Sequence, residues 1–243
     1  MTARTKRLIV SEVFGPTLQG EGPTSGRRCG FVRLGLCNLR CAWCDTPYTW
    51  DWTGLNGQAW SKDDLDRLGL DDIIDQLEPM SVERVVVSGG EPLVQNTGHM
   101  LLVLRLLAEG YNVETETNGT LLPHESLHAL GDECRWNVSP KLAHAGNDMT
   151  DAERIKFDVL EWFSTRPTTS FKFVIGSPLD VDEVVELCER IGIDAGQVWL
   201  MPQGVTREEL EERSRFVFDA AIDHGYNAST RTHVLAWGNE RAR

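Results

Sequence analysis

From Arg84 to Met201 short apolar runs alternate with helical patterns, and this alternation constrains the fold more than any other feature of the sequence. Arg84–Ser88, with Val85-Val86-Val87 at its centre, is a continuous β-branched run of the kind buried on both faces of a sheet. The pattern predicts a helix over His99–Glu109 ended by Gly110, a strand over Asn112–Thr117, a short helical segment around His124–Leu130 and a strand over Arg135–Ser139. It continues with a helix over Asp151–Phe163, a strand over Ser170–Ile175, a helix over Val181–Ile191 stopped by Gly192, and a strand over Gln197–Met201. A long helix over Arg207–His224 and a last strand over Thr230–Trp237 complete it. Such alternation implies parallel strands with right-handed crossovers. On its own it does not separate an open barrel from a flat doubly wound sheet.

Upstream, Leu8–Phe14 reads as a strand, Gly15–Pro23 as a glycine-punctuated loop and Cys29–Leu36 as a second strand. Ser61 is an N-cap for a helix reaching Leu77, with Asp63 and Asp64 in its favoured first turn. No repeat, low-complexity stretch or Pro/Gly/Ser-rich linker divides the 243 residues, so residues 1–243 are expected to form one α/β domain. Lys+Arg 24 against Asp+Glu 37 gives 24 − 37 = −13. A chain this acidic has no general attraction to phosphate backbones or anionic membranes, so neither nucleic acid nor membrane is an expected partner. Met1–Val13 has only the short apolar patch Leu8-Ile9-Val10 and no small-residue cleavage site, and the run Met100–Ala108 is too short to span a bilayer. A cytoplasmic location is the expectation.

The chemistry concentrates in Cys37-Asn38-Leu39-Arg40-Cys41-Ala42-Trp43-Cys44-Asp45-Thr46. Thiolates are soft ligands, and this spacing lets one loop wrap a single metal centre. A structural zinc site takes four protein ligands, so a zinc knuckle here would need Cys29 or a histidine as the fourth. A cubane iron–sulfur cluster held by three cysteines leaves one iron for a small molecule. Six cysteines in a chain this long do not make a disulfide framework, and Cys29, Cys134 and Cys188 read as buried small hydrophobes.

In parallel α/β folds ligands bind at the carboxyl ends of the strands. Those ends here are the cysteine loop, Ser88-Gly89-Gly90-Glu91-Pro92, Glu114-Thr115-Glu116-Thr117-Asn118-Gly119, Ser139-Pro140-Lys141 and Met201-Pro202-Gln203-Gly204. Glycines at a strand end let backbone approach a ligand closely, although a Gly-Gly pair alone is more often a plain turn. Alternation puts Glu114 and Glu116 on one face of their strand, and a carboxylate pointing into a barrel needs a partner. Glu116 is thus a site candidate, with a surface carboxylate as its plain alternative. His233 falls in the last predicted strand, where a lone histidine is commonly structural.

The spacing Cys-x3-Cys-x2-Cys, with Trp43 before the last cysteine, resembles the signature of the radical S-adenosylmethionine (SAM) enzymes. The resemblance implies a partial (β/α)6 barrel with an extra N-terminal strand and a C-terminal strand. It also implies a 4Fe-4S cluster on Cys37, Cys41 and Cys44, whose open iron binds SAM and whose electron cleaves it to a 5'-deoxyadenosyl radical. Gly89-Gly90-Glu91-Pro92 resembles the family motif whose backbone holds the SAM amino group.

Leu18-Gln19-Gly20-Glu21-Gly22, Phe31-Val32-Arg33, Cys44-Asp45-Thr46, Glu116-Thr117-Asn118-Gly119 and Ser139-Pro140-Lys141 together resemble the 7-carboxy-7-deazaguanine synthases over nearly the whole chain. That resemblance implies radical ring contraction of 6-carboxy-5,6,7,8-tetrahydropterin with loss of ammonia, SAM being regenerated. It implies Mg2+ on Thr46, and Gly90, Ser139, Pro140, Lys141, Met201, Pro202, Gln203 and Gly204 around SAM. It implies substrate contacts at Leu18, Gln19, Gly20, Arg33, Ser88, Glu116 and His233, an electron donor such as flavodoxin or ferredoxin, and a homodimer. No residue is implied as a catalytic acid or base, and Lys172 matches a family position without an assigned role. The tail Gly238–Arg243 continues past the point where some relatives use their C-terminal carboxylate, so that contact is not carried over. A glycyl-radical-enzyme activase, which shares the cysteine loop and Gly-Gly-Glu-Pro, and a zinc-stabilised binding module stand as alternatives.

Overall fold

A computed structural model describes residues 7–131 and 133–243, so the reading of Met1–Val13 falls partly on residues outside those described. The strands, in chain order with their helices, are β1 (Leu8–Leu18), β2 (Arg28–Leu34), β3 (Asp66–Leu68), α1 (Leu70–Leu77), β4 (Arg84–Gly89), α2 (Asn96–Ala108), β5 (Asn112–Thr117) and β6 (Cys134–Val138). There follow α3 (Asp151–Arg154), α4 (Phe157–Ser164), β7 (Thr169–Ile175), α5 (Pro178–Ile191), β8 (Val198–Pro202), α6 (Arg207–Asp223), β9 (Asn227–Ala228) and α7 (Thr232–Trp237).

One sheet runs β3-β1-β2-β4-β5-β6-β7-β8-β9. β2, β4, β5, β6, β7 and β8 are parallel, the six strands of a partial barrel, and the sheet stays open. β1 joins antiparallel to β2 as the extra N-terminal strand, and β9 adds a short parallel C-terminal one. Helix side chains such as Leu102 and Leu106 of α2, Phe163 of α4 and Val184 of α5 cover one face of the sheet as core. On β7 the period of two decides the division: Phe171, Phe173 and Ile175 enter that core, while Lys172 and Val174 face a cavity on the other side.

Three expected elements differ. Ser61 does accept from Asp63 N at 3.1 Å, but it caps only a 3-10 turn over Lys62–Asp64. The chain then extends as β3, pairing Leu8 with Leu68, and the helix starts at Leu70. The helix over Asp151–Phe163 is interrupted: Ile155 is extended and buried, so its side chain reaches the core at the expense of continuous helix. Thr230–Trp237 is not a strand. Thr232 N donates to Gly20 O at 2.9 Å, and α7 begins there, so only Asn227–Ala228 pairs with β8. Smaller differences are β1 running on through Leu18 and the segment at His124–Leu130, which is one 3-10 turn over Glu125–Leu127. No described helix is long and apolar enough to cross a membrane.

Candidate active site

At the carboxyl ends of the parallel strands lies a cavity of about 690 Å³. The cysteine loop enters it from β2 through Leu36, a non-glycine residue at φ 74°. Such a conformation costs on the order of 1–3 kcal/mol and persists only where neighbours fix it. Here Leu36 N donates to Thr49 O and Glu91 N donates to Leu36 O, both at 2.8 Å. Other loops pin the rest. Asn56 Nδ2 donates to Cys41 O at 2.8 Å, Asn147 Nδ2 to Arg40 O at 2.7 Å, and Asn118 Nδ2 to Asn38 Oδ1 at 2.9 Å.

Beside that loop, the glycines after β4 allow close passage: a Cβ on Gly90 would lie 2.2 Å from Leu36 O. Glu91 is fully buried and accepts from Leu93 N, Thr117 Oγ1 and Asn118 N at 2.9, 2.9 and 2.6 Å. Its role is to lock the Gly-Gly turn to the end of β5. Lys141 Nζ donates to Ser139 Oγ at 2.9 Å and sits 5.4 Å from the centre of the Trp43 ring.

Opposite, Gln19 Nε2 donates to Glu114 Oε1 at 2.7 Å and to Glu116 Oε1 at 3.2 Å, and Ser88 Oγ to Glu116 Oε2 at 2.6 Å. Both carboxylates therefore point the way strand alternation predicts. Glu114 lies deeper, held by Thr24 and Asn137, and burial pushes its carboxyl up. Arg33 Nε donates to Glu12 Oε1 at 2.7 Å; the Tyr48 hydroxyl shares that oxygen, and Arg241 Nε takes Oε2 at 2.9 Å.

The floor is a buried charge network that the sequence reading left unassigned. Glu21 pairs with Lys172 and with Arg231 Nε at 2.8 Å; Arg231 also pairs with Asp45 and donates to Gly204 O at 2.7 Å. One guanidinium thus ties together the Gln-Gly-Glu-Gly loop, the cysteine loop and the loop after β8. Burial alone would raise the Glu21 carboxyl, but Lys172 and then Arg231 hold it well below its ordinary value. Burial lowers His233, whose ring rests on Gly20: a Cβ there would lie 1.9 Å from His233 Nδ1. Because the folded-state pKa of Glu21 is depressed, its contribution to stability is complete above the ordinary carboxylate range and fades as pH falls through the depressed value. Glu21→Gln should cost on the order of 3 kcal/mol at neutral pH and make the melting temperature less sensitive to acid. Anaerobic melting curves across the acid range test this, and curves parallel to the parent's would remove Glu21 from that role.

Of the residues singled out in the sequence, Leu18, Gln19, Gly20, Arg33, the three cysteines, Thr46, Ser88, Gly90, Glu116, Ser139, Lys141, Lys172, Met201, Gln203, Gly204 and His233 line this one cavity. Pro140 and Pro202 do not; both are buried behind it. Among the residues missed are Arg231, Asp45 and Glu21 in the lining, Glu12 behind Arg33, and the Gly238–Arg243 tail, which lines the cavity although no contact was carried over to it. Arg231 carries no periodic or motif signal, whereas Glu21 and Asp45 lie inside motifs already noted.

Cys37, Cys41 and Cys44 are free, from one loop, and packed with Leu39 and Ala145. Burial pushes the Cys37 thiol up to about 12, so ligation there releases a proton. Four ligands 2.3 Å from one zinc lie only about 4 Å apart. Among the described residues no three Cys, His, Asp or Glu side chains gather in that way around a single ion. Three free thiols of one loop facing the cavity are the donor set that would hold a cubane cluster and leave one iron open. Trp43 Nε1 is buried and has no partner among the described residues.

Residues 32–217 match the model of the radical SAM superfamily. The chain is 38% identical to the 7-carboxy-7-deazaguanine synthase of Pyrobaculum aerophilum over 98% of its own length and 99% of that protein's. It is 34% identical to the enzyme of the same name from Halobacterium salinarum, covering 96% of this chain and 91% of that one. The crystal structure of QueE from Escherichia coli superposes with a TM-score of 0.69 at 23% identity, covering 96% of this chain and all of that chain, a likeness of fold.

Proposed function

The chain belongs to the radical SAM superfamily and, within it, to the 7-carboxy-7-deazaguanine synthases, and we propose that the cavity divides into a cofactor half and a pterin half. The enzyme performs radical ring contraction of 6-carboxy-5,6,7,8-tetrahydropterin to 7-carboxy-7-deazaguanine with loss of ammonia. Its cofactors are a 4Fe-4S cluster and SAM, which together supply a carbon-centred radical. On this reading Cys37, Cys41 and Cys44 hold the cluster, and Gly90, Ser139, Lys141, Met201, Gln203 and Gly204 surround SAM, with Pro140 and Pro202 shaping those loops from behind.

In the pterin half, the two terminal nitrogens of Arg33 clamp the substrate carboxylate. What supports this is that Glu12 bonds only Nε, which leaves the planar outer edge of the fork without a described partner. Glu116, oriented by Ser88 and Gln19, accepts from the amino edge of the ring, the Leu18–Gly20 backbone and Gln19 complete that edge, and His233 closes over it. Lys172 acts on the site by neutralising Glu21 and standing 3.9 Å from Glu116. Thr46, 3.7 Å from Cys44 Sγ at the border of the two halves, offers a hard oxygen to Mg2+. Residues 1–243 work as one domain, as a homodimer, with electrons from a flavodoxin or ferredoxin.

The observation that carries the reading is that three free thiols of one loop share a cavity with an arginine fork and a braced carboxylate. Protein reconstituted without oxygen and given SAM, a reductant and the pterin should release 7-carboxy-7-deazaguanine and ammonia. Mg2+ should stimulate this, and Thr46→Ala should blunt the stimulation; an unaltered Mg2+ titration would count against that ligand. Formation of a protein-borne radical, with the pterin untouched, would instead favour a glycyl-radical activase.

A further inference from the structure

Between the cysteine loop and α1 lies a segment that the assignment above does not use. Trp50 Nε1 donates to Cys44 Sγ at 3.3 Å. Thr46 Oγ1 lies 3.7 Å from the same sulfur. Among the described residues no side-chain donor from another loop is bonded to the other two sulfurs: Cys37 Sγ accepts from the nearby backbone N–H of Leu39 at 3.4 Å, and Cys41 Sγ is served by its own backbone N–H. An indole N–H is a donor only, so its direction is fixed and does not change with pH.

The indole is held from both sides. Before it, the 3-10 turn Pro47–Thr49 is closed by Trp50 N donating to Pro47 O at 3.0 Å and Thr49 Oγ1 to Thr46 O at 2.8 Å. After it, the buried carboxylate of Asp51 accepts from Gly54 N, Leu55 N and Asn56 N at 2.9, 3.0 and 2.8 Å. Asn56 of that same loop is the residue that grips Cys41 O. One brace therefore fixes the indole relative to two of the three thiols.

We infer that Trp50 is a positioning residue which, through its bond to the Cys44 sulfur, raises the reduction potential of the iron–sulfur group. This rests on the cluster reading above. One electron passes from a low-potential one-electron donor onto the iron–sulfur group, with no bond broken and no proton moved. The added negative charge is shared with the ligand sulfurs, so an N–H pointing at one of them is worth more after the electron arrives than before.

Trp50→Phe keeps an aromatic ring and deletes the donor. Its iron and sulfide content should equal the parent's, and its midpoint potential, followed by EPR during anaerobic titration, should move to a more negative value. At a fixed dithionite poise the ratio of reduced to oxidised protein should fall about three- to ten-fold, the equivalent of one hydrogen bond. Trp50→His, whose Nε2 occupies the indole nitrogen's place in the five-membered ring, should recover part of the shift. An unchanged midpoint at full iron loading overturns the inference and leaves the cluster assignment intact, whereas a parent protein without iron–sulfur absorption overturns the assignment itself. Should Trp50→Phe load less iron, 15N-tryptophan labelling decides. A weakly coupled indole nitrogen should appear in pulsed EPR of the reduced protein and persist in Trp43→Phe; its absence there overturns the inference.

Discussion

Cys41→Ala protein purified without oxygen should carry almost no iron, show none of the parent's charge-transfer absorption and form no detectable product. The loop supplies three thiolates, and among the described residues none of the other three cysteines lines the cavity. With one ligand gone, two sulfurs must hold four irons. Of the three thiols proposed as ligands, Cys41 exposes the least surface, packed with Leu39 and Ala145 and with its carbonyl gripped by Asn56. Alanine fits that space, so the fold should survive and the loss should be one of ligation. Cys29→Ala is the control. Cys29 is fully buried among Phe14, Phe31 and Val86, and removing its sulfur should cost about 1 kcal/mol of stability while leaving iron content unchanged. Iron and sulfide analysis of the two variants separates the cases; an iron-replete, active Cys41→Ala protein would end the cluster assignment.

The contrast between Cys41 and Cys29 also shows what the sequence made legible. Three cysteines at close spacing announce a shared metal centre, and β-branched runs such as Val85-Val86-Val87 announce buried parallel strands, because both signals are local. Glu116 was readable for the same reason: the period of two aims it with Glu114 wherever the strand ends up. Arg231 was not readable. Its partners Glu21, Asp45 and Gly204 come from three distant stretches, and only the gathering of loops around one cavity brings them within reach. That network also explains why the strand expected over Thr230–Trp237 is absent. Thr230–Trp237 has strand-like residues, yet the buried ion pairs of Arg231 and the bond from Thr232 N to Gly20 O outweigh a propensity of less than about 1 kcal/mol. Ser61 misled in a different way, since its capping signal was real but a 3-10 turn uses it as readily as a helix does.

Arg33→Gln should lower kcat/KM for the pterin by roughly 10²–10³-fold with iron content unchanged. The size of that loss follows from the bonds the fork can make. Two charge-assisted hydrogen bonds to a carboxylate are each worth about 1.5–3 kcal/mol, less what the carboxylate recovers from water. The fork is also prepared in advance: Arg33 Nε is fixed on Glu12, and Glu12 is in turn fixed by Tyr48 and by Arg241, whose guanidinium stacks 4.1 Å over the Tyr48 ring. Little ordering remains to be done when substrate arrives. The substrate carboxylate keeps its charge throughout the ring contraction, so its binding is common to ground and transition states and the loss belongs mainly in KM. Arg33→Lys keeps the charge but not the planar pair of donors, and should raise KM about ten-fold while kcat changes little. Arg241→Gln leaves the fork in place and loosens only its support, so its effect should be the smallest of the three. Steady-state kinetics of these variants, with iron content measured on each, orders them; unchanged kinetics in Arg33→Gln would remove Arg33 from the substrate site and leave its pair with Glu12 as a structural one.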